Sequence, residues 1–119
     1  MITTNHNYKS TTHVPFDNGG IKHKISIGKN VWIGARSMIC PGVMIEDGAI
    51  IAMGSVVTKS VPKCAIVGGN PAKIIGWRNI EQYDENEKAK RYPSIDKPIE
   101  WVINNEHRNF LIDTRGHNE

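Results

Sequence analysis

The sequence predicts an all-β solenoid in which three short strands make up each turn. Six aliphatic residues recur at intervals of six positions: Ile27, Ile33, Ile39, Ile45, Ile51 and Val57. The fifth position of each hexad is small or β-branched, and three successive hexads carry Gly at the fourth position. An α-helix cannot keep a six-residue stripe on one face, because it has about 3.6 residues per turn. A solenoid can, since each hexad is then one short strand and a turn, and three hexads complete one coil.

Each position of the hexad has its own expected place in such a coil. The aliphatic first residue is expected to point inward and to stack on its counterpart in the next coil. The small fifth residue fits near a corner, and the glycines Gly42, Gly48 and Gly54 suit turns with positive φ. Cys40 occupies a hexad position that we expect to be buried and therefore unreactive. Two coils alone are expected to have low stability, because repeats stabilise one another through their neighbours.

Composition restricts the class of protein. The chain has 119 residues, which is room for one domain, and its 39% hydrophobic and 23% charged residues exclude wholesale disorder. No apolar run reaches the length of a membrane span, and no signal-peptide pattern opens the sequence. Two cysteines are too few for a secreted disulfide scaffold. We therefore expect a small cytoplasmic globular protein that has no membrane partner.

The net charge of +3 is unevenly distributed. Basic residues predominate between positions 21 and 80, and acidic residues predominate after position 80. A basic body suits a phosphate-bearing ligand, although solvated charged faces are the simpler alternative. A nucleic-acid partner is not expected, because the basic residues are spread along the chain and are not interleaved with aromatic residues.

Three segments are predicted along the chain. Residues 1–24 break the hexad frame and are expected to form a loop or excursion with a turn at 17–20. Residues 25–78 form the coils; this segment includes a strand over 65–67 that closes the solenoid and a tight turn over 68–73. Residues 79–119 form a tail with a helix from 79 to 91 that Pro93 ends, a second short helix over 99–105, and a frayed end after 110.

The repeat and two further motifs resemble the hexapeptide-repeat acyltransferases, of the type that acetylates maltose, galactosides, polysaccharides or xenobiotics. These motifs are the block NVWIGA at 30–35 and the opening ITTNHNY at 2–8. The resemblance covers about residues 2–78 and implies a left-handed parallel β-helix with a short C-terminal α-helical tail. It also implies a homotrimer with active sites between subunits, and acetyl-CoA as co-substrate. Because such proteins carry further coils upstream, the chain resembles their C-terminal part, either as a fragment or as a natural truncation.

Within the resemblance, His6 is the base that takes the proton from the acceptor hydroxyl. Histidine suits this role because its ordinary pKa of about 6.5 leaves it neutral and basic near pH 7. His13 and His23 remain alternatives, as does the lack of any such base. Trp32 matches a residue beside the acceptor and pantetheine channel, or else a subunit contact. The backbone N–H of Ala35 matches the donor to the thioester oxygen.

Two stretches, 54–59 and 68–73, resemble the segments that bind coenzyme A in this family. Lys59 and Lys73 can meet phosphate groups as point charges, Thr58 offers a hydroxyl, and Gly69 allows a ligand close to the backbone. The expected cofactor-binding residues are Trp32, Gly54, Ser55, Thr58, Lys59, Gly69, Asn70, Pro71 and Lys73.

Together these features predict direct transfer of an acetyl group from acetyl-CoA to a hydroxyl of a sugar, a polysaccharide unit or a xenobiotic. Two alternatives remain: N-acetylation of an amino sugar, and a trimeric interaction module that has lost catalysis. No metal site is expected, because zinc-dependent hexapeptide proteins, the γ-class carbonic anhydrases, need histidines within their coils and residues 27–62 contain none.

Overall fold

The computed structural model describes residues 2–94 and 96 of the chain. In these residues it has ten strands and one helix. Their bounds are β1 Ile2–His6, β2 Gly20–Lys24, β3 Ser26–Ile27, β4 Trp32–Ile33, β5 Met38–Ile39, β6 Met44–Ile45, β7 Ile50–Ile51, β8 Val56–Val57, β9 Ala65–Gly69, β10 Ala72–Trp77 and α1 Ile80–Lys88. Within this described part, no helix is long and apolar enough to cross a membrane.

Strands β3 to β8 wind into two coils with three faces. Each strand pairs in parallel with the strand eighteen residues further along: Ser26 with Met44, Trp32 with Ile50, and Met38 with Val56. One coil is therefore three hexads long, and each hexad supplies one two-residue strand to one face. The predicted parallel β-helix of the hexapeptide-repeat class is confirmed.

The third coil is shorter than the first two. Strand β9 pairs in parallel with β7, joining Ile50 to Ile66, and a parallel bridge joins Ile45 to Val61. Strand β10 then turns back and pairs antiparallel with β9, which completes a sheet in the order β10-β9-β7-β4. The strand predicted over 65–67 is present, and it ends at the hairpin that carries the predicted turn.

The core lies between the three faces in the second coil. Ile45, Ile51 and Val57, the inward residues of β6 to β8, are each only 1% exposed. The corner residues Ala49 and Ser55 are fully buried. The remaining core members are Val43, Val61, Ala65 and Val67. The predicted roles of the first and fifth hexad positions therefore hold for this coil.

The first coil does not fully bury its inward residues. Ile27 is 42% exposed and Ile33 is 38% exposed, so the expectation that every first position is buried was wrong for these two. The reason is that β3 and β4 pair with the second coil on one side and with no described strand on the other. Cys40 was also expected to be buried but is only half-buried, whereas Cys64 is completely buried.

An antiparallel ribbon precedes the coils. Strand β1 pairs with β2 so that His6 lies opposite Gly20 and Thr3 lies opposite His23. Within the segment 1–24, expected to be a loop or excursion, the two ends form strands and the irregular part is confined to residues 7–19. The ribbon holds the two ends of this loop together, and His6, the last residue of β1, lies where the loop begins.

Helix α1 begins where predicted and ends earlier. The side chain of Asn79 accepts a hydrogen bond of 2.9 Å from the backbone N–H of Gln82, which is an N-cap contact. The helix ends at Lys88, not at residue 91, because Lys90 has a φ of 54° that helical backbone cannot adopt. The helix expected over 99–105 and the frayed end expected after 110 lie outside the described residues.

Two contacts fix the helix to the corners of the coils. The side-chain amide of Asn30 donates to the Glu87 carboxylate at 2.6 Å and to the Tyr83 hydroxyl at 3.2 Å. The Arg78 guanidinium donates through Nε to the carbonyl of Gly48 at 2.7 Å. The helix therefore lies along one edge of the solenoid.

Candidate functional site

A groove of about 310 Å³ lies between the segment after β8 and the β9–β10 hairpin. Thr58 and Lys59 line it from one side, and Pro71 and Lys73 line it from the other. All four residues are exposed. The two stretches that sequence analysis assigned to coenzyme A therefore meet at one place in the fold.

The chemistry of this groove is basic and partly apolar. The exposed residues Lys59 and Lys73 line it, and its apolar floor includes the buried residues Val57, Val61 and Val67. Among the described residues that line it, none is acidic. Such a surface suits an anionic ligand that also has an uncharged, extended portion.

The hairpin turn sets the position of Pro71 and Lys73. Gly69 has a φ of +96°, a conformation that residues with a side chain rarely adopt. The Asn70–Pro71 peptide bond is cis. Gly69 and Asn70 are both exposed at the tip, so their backbone is open to a ligand even though neither lines the groove.

Gly54 and Ser55 lie in different environments although they are neighbours in the chain. The Ser55 side chain is fully buried, and its hydroxyl donates to the Ala52 carbonyl at 2.5 Å. It therefore has no surface with which to contact a cofactor. Gly54 has a φ of +71°, and a Cβ added there would meet nothing within 4 Å, so this corner leaves open space beside the backbone.

Trp32 and Ala35 lie on the first coil, away from the groove. The Trp32 ring is 57% exposed, because the first residue of β4 faces outward while Ile33 faces inward. The Ala35 carbonyl accepts the N–H of Gly54 at 2.8 Å, which ties the two coils together. The N–H of Ala35 donates to no residue in the described part of the chain, so it is available to an external acceptor.

His6 ends strand β1, is exposed, and stacks on an aromatic ring that sequence analysis did not single out. The imidazole and the Phe16 ring have centroids 3.8 Å apart and planes 11° apart. Within residues 2–94 and 96, no hydrogen bond involves either ring nitrogen of His6. Only the antiparallel register, with His6 opposite Gly20, could have indicated that residue 16 lies near.

The other two histidines of the ribbon have different surroundings. His13 lies in the loop with its Nδ1 2.8 Å from the Thr12 hydroxyl oxygen. His23 lies in β2, opposite Thr3. No described group of three or more His, Cys, Asp or Glu side chains could hold a metal ion, and none of the three histidines lines the groove.

Asp17 connects the two ends of the loop that contains Phe16. Its carboxylate accepts the N–H of Gly19 at 2.7 Å and the side-chain amide of Asn7 at 2.9 Å. The Gly19 N–H, followed by the Ser10 hydroxyl, lowers the pKa of Asp17 below its usual value. These bonds join the two sides of the loop directly beyond His6.

The hexads of this parallel β-helix are similar to those of known transferases. Residues 24–59 match the family model for the hexapeptide repeat of succinyl-transferase. A chloramphenicol acetyltransferase from Agrobacterium fabrum is 55% identical over 52 residues, which are 44% of this chain and 25% of that protein. Galactoside O-acetyltransferase from Escherichia coli is 43% identical over 68 residues, which are 57% of this chain and 32% of that protein.

A solved structure agrees with these relatives. A galactoside acetyltransferase in complex with coenzyme A superposes with a TM-score of 0.55 at 35% identity, and the match covers 82% of this chain and 44% of that one. The chain is similar to hexapeptide-repeat acetyltransferases over these segments, as the sequence motifs indicated. It spans only about a quarter to a third of the length of the curated relatives it matches.

Proposed function

We propose that the chain binds acetyl-CoA in the groove between residues 57–61 and 71–74 and transfers the acetyl group to a hydroxyl. The acceptor would be a sugar, a polysaccharide unit or a xenobiotic. One observation carries the proposal: the two stretches that resemble coenzyme A-binding segments line one groove, and each contributes a lysine, Lys59 or Lys73, to it. The similarity to a structure with coenzyme A, and to acetyltransferases of chloramphenicol and galactosides, supports it.

The features of the groove match the parts of coenzyme A. Lys59 and Lys73 both line a groove that has no acidic residue among its described lining, so their ammonium groups can pair with the phosphates. The apolar floor and the open corner at Gly54 can receive the uncharged pantetheine arm along the coil edge. The side chain of Ser55 takes no part, because it is buried.

His6 is the proposed base of the reaction. Its neutral imidazole takes the proton of the acceptor hydroxyl as the oxygen attacks the thioester carbon. The C–S bond then breaks, and the departing thiolate of coenzyme A receives that proton from the imidazolium. A positioned base of this kind contributes about 10²–10⁴-fold in rate. The free N–H of Ala35 would donate to the oxyanion, a contact worth about 3–4 kcal/mol in comparable sites.

The proposed site needs a second subunit. In the described part of one chain, His6 touches no residue that lines the groove. The outward residues Trp32, Met38 and Met44 are 57%, 65% and 53% exposed, and large exposed apolar side chains on adjacent faces are typical of interaction surfaces. In the proposed homotrimer, a neighbouring chain would pack on the face that carries Trp32, and His6 of one chain would lie beside Trp32 and the groove of the next.

Coenzyme A binding is the first test. Isothermal calorimetry should detect binding to the wild-type chain, and Lys73→Ala should weaken it by about tenfold to 10²-fold, because a hydrogen bond to a charged group contributes about 1.5–3 kcal/mol. The matched control is Lys88→Ala, an exposed lysine on α1 that does not line the groove; its affinity should be unchanged. A wild-type chain that does not bind coenzyme A would instead be an interaction module.

Turnover is the second test. The chain is incubated with acetyl-CoA and a panel of acceptors, including chloramphenicol, a galactoside and an amino sugar, and the released thiol is measured. His6→Ala should lower turnover by about 10²–10⁴-fold, whereas His13→Ala should not. Loss of turnover in His13→Ala alone would move the base to that residue, and turnover with the amino sugar alone would assign N-acetylation.

A further inference from the structure

The orientation of the His6 ring has an unusual source. A catalytic imidazole is generally oriented by a hydrogen bond from its second ring nitrogen to a carboxylate, a carbonyl or another acceptor. In the described part of the chain, neither nitrogen of His6 has such a partner, and the ring contact is with the face of Phe16. The two planes are 11° apart with centroids separated by 3.8 Å. A flat stack of this kind restricts rotation of the imidazole about its Cβ–Cγ bond.

Phe16 is itself held in place, which allows it to hold another ring. Its neighbour Asp17 bonds both to Asn7, directly after His6, and to Gly19, directly before the start of β2. A further backbone bond of 3.3 Å runs from the N–H of Asn7 to the carbonyl of Gly19. These contacts connect residues 7, 17 and 19, so the stack lies at the anchored end of the loop and not at its tip.

The exposure of the loop residues supports this distinction. Phe16 is 39% exposed, whereas Val14, two residues earlier in the same loop, is 93% exposed. Both side chains are apolar, so hydrophobicity does not account for the difference in exposure. Phe16 differs from Val14 in that one face of its ring lies against the His6 imidazole.

We infer that Phe16 is a positioning residue that orients the His6 imidazole for proton transfer, and that Asp17 keeps Phe16 in register. The inference rests on the proposed role of His6 as base. Phe16 touches no reacting atom in this scheme. Its loss therefore misplaces the base without changing the groove, so it should lower kcat and leave the KM for acetyl-CoA unchanged.

The stack can be measured without any reaction. Protons above an aromatic face are shielded, so the imidazole C–H resonances of His6 should lie upfield of those of His13, and His6→Ala identifies them by their disappearance. Phe16→Leu keeps an apolar side chain but removes the ring, so the His6 resonances should move downfield. Phe16→Tyr should keep them in place, and the control Val14→Ala should not move them. His6 resonances that stay fixed in Phe16→Leu would overturn the inference.

Kinetics then separates this inference from the proposed function. Phe16→Leu should lower kcat by about tenfold to 10²-fold, since a misplacement of about 1 Å can cost that much, and Phe16→Tyr should restore it. Full turnover in Phe16→Leu, with turnover lost in His6→Ala, would refute the positioning role and leave the proposed base intact. Full turnover in His6→Ala would refute the base, and with it the inference.

Discussion

Substitutions at Ile27 and Ile45 measure how far the inward side chains of the first coil are exposed to solvent. They are paired in one parallel ladder and point inward from the same face, yet Ile27 is 42% exposed and Ile45 is 1% exposed. Replacing Ile by Ala removes three carbons, each worth about 0.8 kcal/mol when buried. For Ile45 this is about 2.4 kcal/mol plus a closed cavity, so the free energy of unfolding should fall by about 3–4 kcal/mol. Ile27 is a little over half buried, so a little over half of the roughly 2.4 kcal/mol applies, and no closed cavity forms. The free energy of unfolding should therefore fall by about 1.4 kcal/mol.

The assay is urea unfolding of Ile27→Ala and Ile45→Ala followed by circular dichroism. All variants are compared at one protein concentration, because assembly shifts the apparent stability. The matched Ile→Val series removes one carbon at each position and should cost about 0.5–1.5 kcal/mol at the buried one. Equal losses of about 3 kcal/mol at both positions would refute the reasoning, because Ile27 would then be covered in solution and the first coil would not be open.

Three further predictions follow from single positions. Gly48→Ala should lower the melting temperature more than Gly54→Ala. Both glycines have positive φ, which costs a residue with a side chain about 1–2 kcal/mol. Only at Gly48 would the new Cβ also lie 2.9 Å from the Cys64 sulfur. A thiol reagent should titrate Cys40 in the folded chain and Cys64 only after unfolding, because Cys64 is fully buried and burial raises the pKa of its thiol; two equally fast thiols would contradict this. Because the pKa of Asp17 is lowered in the folded chain, its contribution to loop order should be complete above the unfolded pKa of about 3.9 and be lost as the pH falls through the folded value. An acid titration of the loop's amide resonances checks this, and loop signals that change only near neutral pH would contradict it.

The coil could be predicted from the sequence because its period is a local property. A residue that recurs every six positions takes the same inward place on each successive face of a three-sided coil. Residues eighteen positions apart therefore share a face, and the pairing of Ile45 with Ile27 follows directly. The exposure of each residue could not be predicted in the same way. It depends on what stacks along the axis on either side of the coil, and the repeat of Ile27 is identical to that of Ile45.

The candidate site shows a second limit. Thr58 and Lys73 could be assigned to one groove because their motifs resemble known cofactor segments, and the hairpin does bring them together. Ser55 was assigned on the same resemblance, yet its side chain is fully buried at the corner that the fifth hexad position occupies. The motif alone does not predict this burial, because burial is determined by the geometry of the coil. Phe16 was missed, since its contact with His6 crosses a loop and depends on the register of the ribbon.

The separation of the ribbon from the groove decides how the proposed reaction could occur. His6 belongs to a sheet of two strands, β1 and β2, that pairs with none of the described coil strands. The groove instead lies beside β8 and the β9–β10 hairpin. A base on one unit and a cofactor on another can react only if something fixes their relative positions, since proton transfer requires atoms within about 3 Å. In the proposed scheme the neighbouring chain does so. The outward residues of the first coil, Trp32 above all, would then serve assembly and catalysis through the same contact.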